Sequence, residues 1–181
     1  MSSTRRQAIQ VAALTLAAGA ASPALAATDD DKKKHAEAAL AAALRLEQTA
    51  VVAYEAIANS GRLSGRLTTL VRAFLDHDRQ HAEQLVTALD AMGVKPPIPP
   101  RRATIPGLAR VRTDVAAADF AIELELRTVG AYTEAVRNLS DPNLLRVVAG
   151  AMGTDGQHLV VLRGVARRNP APHAFERGIR P

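Results

Sequence analysis

Two sets of carboxylate, tyrosine and histidine residues occur in the same order in the two halves of this chain. The first set is Glu47, Tyr54, Asp78 and His81, and the second is Glu125, Tyr132, Asp155 and His158. Matching members lie 77 or 78 residues apart, and the two tyrosines are the only ones in the chain. A repeat of these residue types indicates one chemical centre to which both halves contribute.

The spacing within each set fits helices whose side chains point to a common centre. Seven residues separate Glu47 from Tyr54, close to two helical turns, so both share one helix face. Asp78 and His81 lie three residues apart and also project to one side. Two packed hairpins would therefore bring four carboxylates and two imidazoles together. Burying four carboxylates costs a large free energy unless cations offset their charge.

The sequence thus predicts a dinuclear metal site in the core of a helical bundle. The predicted metal ligands are Glu47, Asp78, His81, Glu125, Asp155 and His158. We expect the hydroxyls of Tyr54 and Tyr132 to orient the carboxylates across the bundle. His77 is expected to point outward, because it lies about 100° around the helix from Asp78. Asp76 and Glu83 are expected at the surface.

The chain resembles the ferritin-like superfamily, and more closely its bacterial exported ferritin-like domain proteins. The residues that carry the resemblance are LEQTAVVAY (46–54) with DHDRQHAEQL (76–85), and LELRTVGAY (124–132) with DGQHL (155–159). The resemblance implies an all-α, ferritin-like four-helix bundle over residues 35–168. The family usually has glutamate where this chain has Asp78 and Asp155. Aspartate is one methylene shorter, which makes bridging of two metals harder.

Apolar periodicity predicts four helices, at about residues 35–59, 63–92, 113–139 and 142–167. Residues 94–112 contain five of the ten prolines, which excludes a continuous helix there. Extended backbone advances about 3.1 Å per residue, enough to run back along a helix, so we expect a crossover joining two helical hairpins. In the fourth helix, three glycines flank Asp155 and indicate either close helix packing or space at the metal site: Gly150, Gly153 and Gly156.

The two ends of the chain are expected to lie outside the bundle. Residues 1–26 have a basic start with Arg5 and Arg6, an apolar run and a small-residue cleavage site, which predicts an export signal peptide. The arginine pair resembles a twin-arginine signal, and an ordinary secretory signal is the alternative. Residues 27–34 are predicted to form a solvated charged lead-in, and residues 169–181 a loose tail.

Composition limits the remaining functional classes. The absence of cysteine excludes disulfides, thiolate metal sites and cysteine nucleophiles. The net charge is +5, and removal of the signal would reduce it to +3. Aromatic residues make up 3% and the basic residues are scattered, so we expect no nucleic-acid partner. Membrane contact is expected only through an uncleaved signal, and a homo-oligomer stays open.

Carboxylate and imidazole ligands suit iron, manganese or zinc, and iron or manganese fits the resemblance best. The leading hypothesis is an exported dinuclear metal protein in the periplasm, the extracellular space or the cell envelope. The metal would be oxidised by oxygen or peroxide, or the protein would remove peroxide. The alternative is a metal-free bundle that serves as a binding or stress-response module of the cell envelope. The sequence assigns no catalytic residue.

Overall fold

The computed structural model describes residues 28–179, which form four long α-helices. These are α1 (Asp29–Ala58), α2 (Gly65–Ala91), α3 (Asp114–Asn138) and α4 (Pro142–Val165). Helix α1 packs against α2, and α3 packs against α4, so the chain forms two helical hairpins that meet mainly along α1 and α3. Residues 28–179 contain no β-strand. The predicted all-α four-helix bundle is confirmed.

Helix α1 begins at Asp29, six residues earlier than predicted. The Thr28 hydroxyl accepts a hydrogen bond from the backbone N–H of Asp31 at 3.2 Å. The Asp31 carboxylate accepts one from the backbone N–H of Thr28 at 3.2 Å. This reciprocal cap, with three aspartates at the positive end of the helix, stabilises the first turn. Residues 29–34 of the predicted charged lead-in are therefore helical, and they are exposed to solvent.

The segment between the hairpins, residues 94–112, contains only two short 3-10 turns, at Arg102–Thr104 and Leu108–Arg110. The side chain of Gln48 in α1 donates a hydrogen bond to the carbonyl of Pro97 at 2.9 Å. Apolar side chains of the segment are buried against the bundle, namely those of Ile105, Leu108 and Val111. The segment is therefore packed along the bundle rather than acting as a linker.

Two apolar clusters fill the core, one toward each end of the bundle. One cluster includes Leu67, Phe74, Leu108, Ile122 and Leu159. The other includes Leu40, Leu44, Leu85, Leu89 and Val148. Along each helix the predicted metal ligands lie between residues of the two clusters, which creates a polar layer inside an apolar core.

The three glycines of α4 do not serve either purpose that the sequence indicated. A Cβ atom built on Gly150, Gly153 or Gly156 would have no neighbouring atom within 4 Å beyond its own helix. These positions face away from the other helices. The expectations of close packing and of space at the metal site are therefore both wrong.

The C-terminal segment, residues 169–179, has no helix but is held against the bundle. The guanidinium of Arg163 in α4 pairs with Glu176 at 2.6 Å. The backbone N–H of Ile179 donates to the carbonyl of Leu126 in α3 at 2.9 Å. The predicted loose tail is therefore wrong at residues 176–179, because contacts with two helices hold it.

The predicted export signal at residues 1–26 lies outside the described residues. Among residues 28–179, every helix is too short or too polar to cross a membrane.

Candidate metal centre

The structure brings all six predicted metal ligands into the polar layer between the two apolar clusters. On each helix the predicted ligands lie on the same inward-facing side as the apolar residues. All four helices therefore contribute to this layer. Five of the six are at most 2% exposed: Glu47, Asp78, Glu125, Asp155 and His158. The side chain of His81 is 13% exposed and lies nearest to solvent.

The six side chains form two groups, and each group takes residues from both hairpins. We call them the Glu47 half-site (Glu47, His81 and Asp155) and the Glu125 half-site (Asp78, Glu125 and His158). Within each half-site the potential donor atoms all lie within 4.8 Å of one another.

The two half-sites are adjacent and share the aspartate of α4. Asp155 Oδ1 lies 3.6 Å from His81 Nδ1 in its own half-site and 4.0 Å from His158 Nδ1 in the other. Asp78 Oδ1 lies 3.8 Å from His158 Nδ1. The shorter aspartate side chains therefore reach the centre, and the arrangement can accept two metal ions side by side.

The tyrosines bind the glutamates across the bundle in a reciprocal pattern. Tyr54 of α1 donates its hydroxyl to Glu125 Oε1 of α3 at 2.5 Å. Tyr132 of α3 donates to Glu47 Oε1 of α1 at 2.5 Å. Burial and the nearby carboxylates raise the pKa of both tyrosines well above its usual value. Both hydroxyls therefore stay protonated and fix one oxygen of each glutamate.

The two aspartates are the unsatisfied groups of the centre. Within residues 28–179, all four carboxylate oxygens of Asp78 and Asp155 are buried without a hydrogen-bond partner. Burial, followed by the charges of the other carboxylates, raises the pKa of both groups well above its usual value. Burial also raises the pKa of Glu47. Because buried polar groups are nearly always paired, bound cations would satisfy these four oxygens, and protonation is the other way to remove the charge.

The histidine nitrogens point into the same space as the carboxylates. His158 Nδ1 lies 3.2 Å from Glu125 Oε1. His81 Nδ1 lies 3.3 Å from Glu47 Oε1 but lacks the alignment of a hydrogen bond. Converging nitrogen and oxygen donors suit iron, manganese or zinc, whereas calcium and magnesium prefer oxygen alone. The residues present therefore fit a transition-metal pair.

His77 is exposed, as the sequence predicted, but its ring also contacts the centre. Its Nδ1 lies 3.0 Å from His158 Nε2. The sequence did not predict this contact, because the position around α2 does not reveal that His158 of α4 reaches across to it. Partial burial of the ring, and then the proximity of His158, lowers the pKa of His77. Asp76 and Glu83 are exposed, as expected.

Residues 36–168 match the model of the ferritin-like domain family, and the chain belongs to this family. A similar solved structure is the crystal structure of a conserved hypothetical protein, rv2844, from Mycobacterium tuberculosis. It aligns with a TM-score of 0.68 and 22% identity, over 80% of this chain and 99% of that chain. At this identity the likeness shows the shared fold alone. None of the curated proteins matches the chain.

Proposed function

We propose that the bundle core binds two metal ions, iron or manganese, one at each half-site. The observation that carries this proposal is the set of four buried aspartate oxygens without partners in residues 28–179. Two divalent cations would balance four carboxylates, and their coordination would replace the missing hydrogen bonds.

Each half-site would supply one glutamate, one aspartate and one imidazole. The tyrosine hydroxyls hold Oε1 of Glu47 and Glu125, so each carboxylate is fixed before a metal arrives. Asp155 lies near both histidines and is therefore the side chain best placed to contact both ions.

The proposed activity is oxidation of the bound metal by oxygen or peroxide, or removal of peroxide. A reduced metal pair held by the two half-sites would supply the two electrons that, with two protons, convert one peroxide molecule to two waters. The chain contributes a fixed set of ligands and two apolar clusters that limit water access. If residues 1–26 direct export, this chemistry takes place in the periplasm or cell envelope.

Elemental mass spectrometry on the full-length protein, purified from its own compartment, tests the proposal. We expect about two iron or manganese ions per chain. The Asp78→Asn/Asp155→Asn variant should lose them, because asparagine cannot supply the negative charge. The Asp76→Asn/Glu83→Gln variant is the matched control, since both carboxylates lie on α2 and are exposed.

The alternatives give different results in the same experiment. About one ion per chain would contradict the dinuclear centre and indicate a mononuclear site. Absence of metal from wild type as well as from both variants would overturn the proposal. It would favour a metal-free bundle that acts as a cell-envelope module.

A further inference from the structure

We propose that His77 positions His158 for metal binding and so makes the two half-sites unequal in affinity. This inference rests on the proposed metal centre. His77 is a positioning residue, because it touches a ligand and not the space between the ligands.

The two imidazole rings lie side by side in nearly one plane. Their planes differ by 8° and their centroids are 5.3 Å apart, while the nearest nitrogens are 3.0 Å apart. If the rings were stacked face to face, their centroids would be closer than 5.3 Å. The contact is therefore a hydrogen bond between the ring edges, with both rings in nearly the same plane. Phe74 covers a face of the His158 ring, with centroids 4.0 Å apart and an angle of 29°. The ring of His158 is thus held both at its edge and on its face.

This hydrogen bond assigns the two nitrogens of His158 to different roles. Nδ1 faces Glu125 and Asp78, so Nδ1 is the atom available to a metal. When a metal occupies Nδ1, Nε2 carries the ring proton and donates a hydrogen bond to His77 Nδ1. A metal-binding histidine usually donates a hydrogen bond from its second ring N–H to a carboxylate, a carbonyl or water. Here an imidazole takes the place of that acceptor.

Within residues 28–179, the Glu47 half-site has no such partner for its histidine. The position that matches His77 in the second half is Thr154, and its hydroxyl donates to the carbonyl of Gly150 in its own helix at 3.2 Å. Among the described residues, the contact between His77 and His158 is the only hydrogen bond between two histidines. The repeat is therefore broken at this position, and only the Glu125 half-site has its histidine held by another imidazole.

Two readouts on the full-length protein test the inference. The first is nitrogen-15 NMR of the histidines in Zn(II)-loaded protein, which should show a protonated His158 Nε2 hydrogen-bonded to an unprotonated His77 Nδ1. The second is a spectroscopic titration of metal-depleted protein with Co(II), which should show two unequal binding steps in wild type. His77→Ala should remove the NMR signature and weaken one step by about 10–100-fold.

Two further variants separate positioning from a general structural effect. His77→Asn should restore binding, because its side-chain carbonyl can accept where Nδ1 does. Thr154→Ala should bind like wild type. In a His158→Ala background, adding His77→Ala should change nothing further, because His77 acts through that ring alone.

The inference is overturned if His77→Ala binds both ions as wild type does, or if His77→Asn is as weak as His77→Ala. In Zn(II)-loaded protein, an unprotonated His158 Nε2 in wild type would also overturn it, whereas loss of the NMR signature in His77→Ala would support the positioning contact. Failure of wild type to bind Co(II) would instead overturn the metal centre itself, and the inference with it.

Discussion

Asp78 and Asp155 bring negative charge into a layer where no described residue donates a hydrogen bond to them. Replacing both by asparagine keeps their shape and removes the charge. We expect the metal-free double variant to be more stable than metal-free wild type by about 1–3 kcal/mol, because an unpaired buried carboxylate costs more than an amide. Chemical denaturation of chelator-treated protein measures this difference.

Added Mn(II) should then stabilise wild type and leave the Asp78→Asn/Asp155→Asn variant unchanged. A variant less stable than wild type without metal would show that the aspartates make native contacts of their own. That result would favour a polar scaffold over a metal site.

The tyrosine hydroxyls of the centre stabilise the fold through their hydrogen bonds to the two buried glutamates. Tyr54→Phe and Tyr132→Phe each remove one buried hydroxyl that donates to a glutamate and preserve the ring. We expect each variant to lose about 1.5–3 kcal/mol of unfolding free energy, the range for hydrogen bonds to charged groups. Thermal or urea unfolding measures it. Similar losses are expected from both, since the contacts are reciprocal; a negligible loss from either would contradict the contact.

The sequence was sufficient to find the residues of the layer but not all of their contacts. The matched order of Glu47 and Glu125, and of the two Asp-x-x-His pairs, predicted which side chains meet, because a helix places residues at such spacing on one face. The pairing of each aspartate with ligands of the other hairpin was not predictable, since it depends on how two helices cross. The contact of His77 was missed for the same reason.

Gly130 of α3 allows the C-terminal segment to lie directly against this helix. A Cβ atom on this residue would overlap the backbone of Ile179, and the added Cβ of Gly178 would overlap α3 in turn. Because neither glycine has a Cβ atom, the backbones of α3 and the C-terminal segment can approach this closely. Nothing in the sequence indicated this contact, because the tail lacks any periodic pattern.

Gly130→Ala should therefore release the end of the tail from α3. Alanine favours the helix by up to about 1 kcal/mol, so global stability should change little. The released segment should be cleaved by trypsin after Arg177 roughly tenfold faster, which mass spectrometry of a digestion time course can follow. Gly150→Ala is the matched control, because its added Cβ would meet open space. Equal cleavage rates in both variants would contradict the contact.

The helices themselves were largely predictable because their caps and apolar periods agree. Thr113 and Asp141 cap α3 and α4, at or next to the predicted helix starts at about residues 113 and 142. The start of α1 was not recognised, because a run of charged residues was interpreted as solvated chain. The pair Thr28 and Asp31 has the spacing of a reciprocal cap, and that signal would have placed the helix start correctly.

Bound metal ions would link the two hairpins to each other. The hairpins meet chiefly along α1 and α3, while α2 and α4 make few contacts with each other. Each half-site nevertheless combines residues from both hairpins, and α2 and α4 contribute both histidines and both aspartates. Bound metal would therefore supply the cohesion between α2 and α4 that packing provides only weakly.

This coupling gives stability a pH dependence that differs with and without metal. In metal-free protein, burial raises the pKa of Asp78 and Asp155 well above the value of about 4 expected in the unfolded chain. The folded state then binds more protons than the unfolded state between these values. Its unfolding free energy should fall as pH rises from about 4 through the folded pKa values. Metal binding requires the deprotonated carboxylates and should strengthen over the same range.

The stabilisation by added Mn(II) should therefore increase between about pH 5 and pH 7.5, because protons compete less with the metal as pH rises. Calorimetry at several pH values, with and without Mn(II), measures both curves. In Asp78→Asn/Asp155→Asn the metal-free curve should lose the part of its downward slope that the two aspartates contribute, and the part from Glu47, whose pKa burial also raises, should remain. Surface ion pairs contribute equally to both proteins, so the difference between them isolates the centre. If wild type and the variant gave the same slope, the two aspartates would not carry the charge conflict on which the metal centre depends.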